Sequence, residues 1–166
     1  DYQRSMQRKL MKRRETFWSQ LSGVESSVDA ADSEVDAIHT GSDTIDSMLI
    51  KALHAHNQKD YAAAVRMYAD ILAYQPQDHV AAVIHSHRGM ARFALGDADG
   101  AVEDFSATIR LSPQTTRAYY YRGVVYHQQG RLETALVDFS RCLEFDPYHV
   151  DSRIARARVY LALGDV

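Results

Sequence analysis

The stretch RGMARFALGDADGAVEDFSATIRLSP at residues 88–113 decides the fold, because RGVVYHQQGRLETALVDFSRCLEFDP at residues 122–147 repeats it. When the second stretch is laid over the first, arginine, glycine, alanine, aspartate, phenylalanine, serine and proline coincide in register. Agreement at a fixed period indicates an internal repeat of one supersecondary unit. Such a unit cannot bury its apolar face alone, so we expect each one to pack against its neighbours.

Glycine and proline divide each unit into two helices. Gly96 and Gly130 take the same position in the two stretches, and glycine suits the left-handed residue that follows a helix. The only three prolines, Pro76, Pro113 and Pro147, come after the second apolar stretch of successive units. Because proline cannot continue a helix, each marks the end of a helix pair.

The units resemble the tetratricopeptide repeat (TPR), a 34-residue helix–turn–helix module. Its signature is a small residue at the eighth position, then glycine, alanine, an aromatic residue and proline at set distances. The second unit carries Gly89, Gly96, Ala101, Phe105 and Pro113, and the third carries Gly123, Gly130, Ala135, Phe139 and Pro147. The resemblance implies an all-α fold, a right-handed α-solenoid of antiparallel helix pairs.

Two further units extend the resemblance over residues 46–166, as three repeats plus the first helix of a fourth. The first unit has Lys59 in place of the turn glycine, and the fourth ends at Val166 after one helix, so we expect more chain to follow. Seven helices are therefore predicted. Three additional residues before Gly89 predict either a longer turn or an extended helix start at 77–81.

Residues 1–45 form a separate helical extension in this interpretation. Residues 2–21 predict a basic amphipathic helix, and residues 24–38 an acidic one with an apolar seam. Pairing between the two helices, or an acidic protein partner, accounts for the basic cluster better than a membrane or nucleic acid does. Aromatic residues interleaved with the basic ones, which are typical of single-strand binders, are missing.

Catalysis and cofactor binding find no support in the sequence. The histidine pairs are spaced by two residues, which points the rings to different sides of a helix, whereas metal sites on helices use a spacing of four. Cys142 is the only cysteine, and phosphate-binding glycine motifs and nucleophile elbows are missing. We therefore predict no enzyme activity, no metal and no cofactor.

The resemblance implies that the first helices of the units line a concave groove. Aromatic, apolar and basic residues at those positions are the predicted partner-binding set, since such patches mark interaction sites: His87, Met90, Phe93, Arg117, Tyr120, Tyr121, Val124, His127 and Arg158. Packing of Tyr120 or Tyr121 as core is the alternative for each ring.

The resemblance also permits a test of one ligand class. TPR cochaperones that bind the EEVD terminus of heat-shock chaperones use a clamp of lysine, asparagine and arginine side chains. Here those positions hold Leu49, Leu53, His87, Arg117 and Tyr121, of which only Arg117 keeps the charge. The sequence therefore argues against a chaperone terminus and for a less polar peptide or helix.

Three function classes remain. The leading prediction is a scaffold or adaptor that binds a peptide or helix of another protein in the groove. The alternative is a structural subunit docked permanently in a large multiprotein assembly, and the third is an enzyme subunit whose catalytic domain lies elsewhere. A cytoplasmic or other intracellular location is expected, with no nucleic acid or membrane as partner.

Overall fold

A computed structural model describes residues 43–164 of the chain, and this part contains seven helices and no strand. The helices are α1 (Asp43–Asn57), α2 (Tyr61–Ala73), α3 (Asp78–Leu95), α4 (Ala98–Leu111), α5 (Thr116–Gln128), α6 (Leu132–Phe145) and α7 (Val150–Leu163). The all-α repeat fold and the predicted number of helices are confirmed. The predicted helices at 2–21 and 24–38 lie outside the described residues.

The turns within the pairs form where the sequence places them. Lys59, Gly96 and Gly130 have φ values of 61°, 99° and 75°, so all three adopt the left-handed conformation. Asp60 and Asp97 then cap the following helices by accepting hydrogen bonds from the backbone amides of Ala63 and Gly100. A left-handed residue followed by a cap reverses the chain within a short turn.

Helix α3 resolves the question of the three additional residues. It contains 18 residues, against 13 in α5. Its start at Asp78 precedes Ala82, which is the equivalent of Thr116 at the start of α5. The extra residues therefore extend the helix start by about one turn rather than lengthen the preceding loop.

Each helix packs on its neighbours along the chain, and α5 also contacts α3 and α7. Two buried clusters result, one within α1, α2 and the start of α3, and one from the end of α3 to α7. Phe105 and Phe139 are at most 1% exposed in the second cluster. A Cβ atom on Gly123 would lie 2.8 Å from the Phe139 ring, so the glycine leaves room for that ring.

Buried ion pairs join the two helices of the second and third units. Arg88 donates from Nε and Nη2 to the two carboxylate oxygens of Asp104, at 2.9 and 2.7 Å. Arg122 binds Asp138 in the same way, with both distances 2.8 Å. Bidentate pairs of this kind fix the orientation of the groups as well as their distance.

The only cysteine lies in the seam between α6 and α7. Cys142 is fully buried, and its Sγ accepts a hydrogen bond from Ser152 Oγ at 3.0 Å. Burial raises the pKa of the thiol, and the hydrogen bond from Ser152 opposes that rise. Cys142 is therefore part of the second core cluster.

Candidate functional site

Rings on the first helices of the units, and one ring just before α7, form two series of contacts. The ring centroids of His56 on α1 and His87 on α3 are 5.8 Å apart. On α5 the rings of Tyr120 and Tyr121 are 5.2 Å apart, and the Tyr120 ring lies 5.2 Å from that of His149 at the start of α7. Ring contacts thus join the first unit to the second and the third unit to the start of the fourth.

A cavity of about 450 Å³ opens between α3, the end of α4 and the start of α5. Its walls include Val83, Ser86 and His87 on one side and Arg117 on the other. Two of the predicted partner-binding residues, His87 and Arg117, thus face the same space. The lining combines aliphatic, hydroxyl and basic groups.

The structure divides the predicted partner-binding set by exposure. His87, Phe93, Tyr120 and Val124 are 5%, 1%, 5% and 1% exposed. The other five retain more accessible surface: Met90, Arg117, Tyr121 and His127 are half-buried, and Arg158 is exposed. Phe93, Tyr120 and Val124 belong to the second core cluster, so in this conformation the accessible surface consists mainly of the other residues.

Burial determines the charge of His56, the histidine ring that α1 contributes to these contacts. The pKa of His56 is lowered to about 4, mainly by removal from water and also by repulsion from His87 and Arg117. His56 is therefore neutral at pH 7. Its ring lies edge-on to Tyr61 and Tyr68, with centroid distances of 5.4 and 6.2 Å.

At pH 7 the positive charges close to these rings belong to arginine side chains. The Arg117 guanidinium lies 6.0 Å from the centroid of the Tyr121 ring. Burial, and then Arg158, lower the pKa of His127, so this side chain is also neutral at pH 7. Arg117 therefore places a permanent cation beside the half-buried Tyr121 ring.

Sequence reasoning missed the residues that close the cavity. Asp78 and His79 come from the additional turn of α3, whereas Thr108, Leu111 and Thr115 come from the end of α4 and the loop after it. The three additional residues before Gly89 are the feature of the sequence that could have indicated Asp78 and His79. The loop residues carry no repeat signature, so nothing in the pattern indicated them.

The described helices offer neither a metal site nor a membrane span. Within residues 43–164, no group of three or more histidine, cysteine or acidic side chains has the arrangement to hold a metal ion. No helix of that part is long and apolar enough to pass through a bilayer.

Known proteins share this architecture. The profile "Tetratricopeptide repeat" matches residues 116–149 and the profile "TPR repeat" matches residues 89–130. DnaJ homolog subfamily C member 3 of Gallus gallus is 31% identical over 110 residues, which cover 66% of this chain and 21% of that protein. Small glutamine-rich tetratricopeptide repeat-containing protein 2 of Saccharomyces cerevisiae is 28% identical over 53% of this chain and 25% of its own length.

Solved structures agree with the sequence matches. The first TPR of Spaghetti, bound to the HSP90 peptide SRMEEVD, superposes with a TM-score of 0.68 and 25% identity over 76% of this chain and 98% of that one. The chain spans about a quarter or less of the length of the curated relatives named above.

Stacked helix pairs with a ring-lined series of first helices define an α-helical repeat protein of the protein-binding class. Within that class, residues 89–149 match tetratricopeptide repeat profiles, and the fold is that of TPR structures.

Proposed function

We propose that the surface formed by the first helices binds an apolar, helical segment of a protein. The observation that carries the proposal is the open cavity beside the ring series, with Arg117 at its wall. Tyr121 and Met90 are half-buried at the edge of the core, where a partner can contact their remaining surface. Aromatic and arginine side chains in such positions contribute most of the energy of binding in many interfaces.

The charge distribution favours an apolar ligand over a carboxylate terminus. The Spaghetti domain is bound to an HSP90 peptide ending in EEVD, but the equivalent surface of this chain lacks most of the corresponding charges. Leu49 and Leu53, at two clamp positions that the resemblance implies, are 1% and 5% exposed in the first core cluster. Arg117 and Arg158 would then contact acidic groups at the edges of the ligand, which contributes about 0–1 kcal/mol for each exposed pair.

One occupant is encoded in the chain itself. Residues 2–21 place Met6, Leu10, Phe17 and Leu21 along one side of a predicted helix, with Trp18 beside them. This segment lies outside the described residues, and its docking on the first helices is part of the proposal. An external helix of the same chemistry would compete with it.

The test uses the chain from residue 23 onward and a fluorescent peptide of residues 2–21. We expect saturable binding that weakens about tenfold or more when Tyr121 is changed to glutamate, since a charge would enter an apolar contact. Tyr148→Glu is the matched control, because Tyr148 is 83% exposed in the loop before α7. Deletion of residues 1–22 should also raise the binding of an environment-sensitive apolar dye.

The competitor SRMEEVD separates the two ligand classes. SRMEEVD and unlabelled peptide 2–21 are each used to displace the fluorescent helix peptide. If SRMEEVD displaces it at the lower concentration, the result contradicts the proposal and supports a chaperone terminus as ligand. Equal loss of binding in Tyr121→Glu and Tyr148→Glu would also contradict it.

A further inference from the structure

The cavity between α3, the end of α4 and the start of α5 includes a wall that the third unit lacks. Asp78 and His79 line it from the turn by which α3 exceeds α5. Its volume of about 450 Å³ lies within the range of sites that hold small organic molecules, roughly 300–1,000 Å³. The cavity is therefore a property of this unit and not of the repeat pattern.

One buried hydroxyl in the cavity wall lacks a hydrogen bond. Ser86 lies on α3, lines the cavity and is 9% exposed. Within residues 43–164 its Oγ has no hydrogen-bond partner, whereas Thr108 in the same wall is hydrogen-bonded to the backbone oxygens of Ala82 and Asp104. No fully enclosed polar side-chain atom of that part lacks a partner, so Ser86 Oγ opens on the cavity. A ligand that fills the cavity must offer this hydroxyl a hydrogen bond, because an unpaired buried polar group is costly.

The charges of the wall favour a ligand group without a net charge. Asp78 and Arg117 contribute one formal charge of each sign. Ala82, Val83 and Leu111 add aliphatic surface. An ionised group in the cavity would lose its water while it faces one favourable and one unfavourable charge. The lining therefore suits a large apolar side chain with one hydrogen-bonding group at its edge.

Arg117 provides a surface against which an aromatic ring can pack. Its side chain lines the cavity, and its guanidinium lies 6.0 Å from the centroid of the Tyr121 ring. A guanidinium is planar and stacks on aromatic faces. A ring in the cavity can therefore contact the same group that contacts Tyr121, which belongs to the proposed binding surface.

The segment of residues 2–21 carries one side chain with this chemistry inside its predicted helix. Trp18 is the only tryptophan of the chain, and its indole N–H is a hydrogen-bond donor. The ring of Phe17, its neighbour, has no such donor. Tyr2 has a hydroxyl group, but it is the first residue of the predicted helix, and helix ends fray.

We infer that the cavity is an anchor pocket for one large aromatic side chain of the bound helix, and that Trp18 is that side chain in this protein. The indole packs against the aliphatic wall and Arg117, and its Nε1–H donates to Ser86 Oγ. The inference rests on the proposed binding surface, since the pocket lies beside it, and adds a specificity to it. A helix with only aliphatic side chains leaves Ser86 without a partner and binds less tightly.

Tryptophan fluorescence of the full chain tests the location of the ring, because Trp18 is the only source of the signal. We expect acrylamide to quench the folded chain several-fold less than the chain unfolded in urea. Val83→Phe, which fills the cavity from α3, should raise quenching in the folded chain to about the unfolded level. Val137→Phe is the matched control, because Val137 is 60% exposed on α6, and it should leave quenching unchanged.

The hydrogen bond is tested by nuclear magnetic resonance, since the single indole N–H gives one cross-peak in a nitrogen–proton correlation spectrum. Ser86→Ala should move this peak and speed the exchange of the indole proton with solvent about 2- to 10-fold, as expected for the loss of one hydrogen bond. Ser140→Ala, at a half-buried position on α6, should change neither quantity. Helical content measured by circular dichroism verifies that each variant is folded.

Three results would overturn the inference and leave the proposed function intact, provided that the peptide of residues 2–21 still binds. The first is equal quenching of Trp18 in the folded and unfolded chains. The second is a protected Trp18 that Val83→Phe does not expose, since the ring would then be packed elsewhere. The third is an indole peak that Ser86→Ala does not move, because the preference for tryptophan would lose its cause. Failure of the peptide to bind would contradict both proposals.

Discussion

Individual side chains in the ring series respond to pH in a direction that the structure determines. His56 has a pKa of about 4 in the folded chain, whereas an unperturbed histidine has a pKa of about 6.5. Between these values the unfolded chain binds a proton that the folded chain does not. The titration of His56 therefore leaves the free energy of unfolding unchanged above about pH 6.5. It lowers this free energy as the pH decreases from about 6.5 to about 4, and causes no further change below about pH 4.

We predict that acidification across this window costs up to about 3 kcal/mol through His56, from 1.36 kcal/mol for each pKa unit. Urea melts at several pH values will measure the loss, and His56→Gln should make it smaller. His54→Gln is the matched control, because His54 is exposed on the same helix. An unchanged pH dependence in His56→Gln would mean that His56 titrates normally in the folded chain.

Pairs of helices are joined by polar as well as apolar contacts. Arg122 binds Asp138 within the third unit and also donates from Nη1 to Ser106 Oγ on α4, at 3.0 Å. The hydrogen bond to Asp138 raises the pKa of Arg122, although burial opposes the rise. One guanidinium therefore links the second unit to the third as well as the two helices of its own unit.

We predict that Asp138→Ala destabilises the protein by about 3–5 kcal/mol, because it leaves the Arg122 charge largely buried without its carboxylate. Glu144→Ala removes a pair that is more than half exposed, with Arg141, and should cost less than about 1 kcal/mol. The double change Arg122→Met with Asp138→Leu should recover much of the loss. Denaturant melts measure all three, and similar costs for Asp138→Ala and Glu144→Ala would contradict the prediction.

The helix pairs themselves were largely predictable from sequence, whereas the site was only partly so. Gly96, Gly130 and the prolines act locally, so the turns they indicate do not depend on the rest of the fold. Whether Phe93 or Tyr120 contacts a ligand depends on how closely the next helix approaches, which the repeat pattern does not contain. The cavity depends on the additional turn of α3, for which the sequence permitted two interpretations.

Over the whole described chain, the two core clusters divide the molecule into parts that differ in their contacts. Repeat arrays gain stability from each unit and from the interfaces between neighbouring units, with few contacts between distant ones. The first cluster lies within α1, α2 and the start of α3, and the second includes the rest. Local opening in one part therefore need not open the other.

We predict that Phe139→Ala costs about 3–5 kcal/mol and speeds amide hydrogen exchange in α5, α6 and α7 far more than in α1 and α2. Ile71→Ala, which truncates a fully buried side chain of the first cluster, should produce the opposite distribution. Hydrogen exchange with mass spectrometry resolves the two parts. A uniform increase along the chain in both variants would show that the array unfolds as one cooperative unit.

The buried thiol in the seam between α6 and α7 has a practical consequence. Because Cys142 is the only cysteine and is fully buried beside Ser152, a thiol-reactive reagent can modify the chain only when that seam separates. The rate of labelling therefore reports how often α7 separates from α6, and no other cysteine contributes to the signal. A ligand that holds α7 against α6 would lower the rate of labelling even if it does not contact the sulfur atom of Cys142.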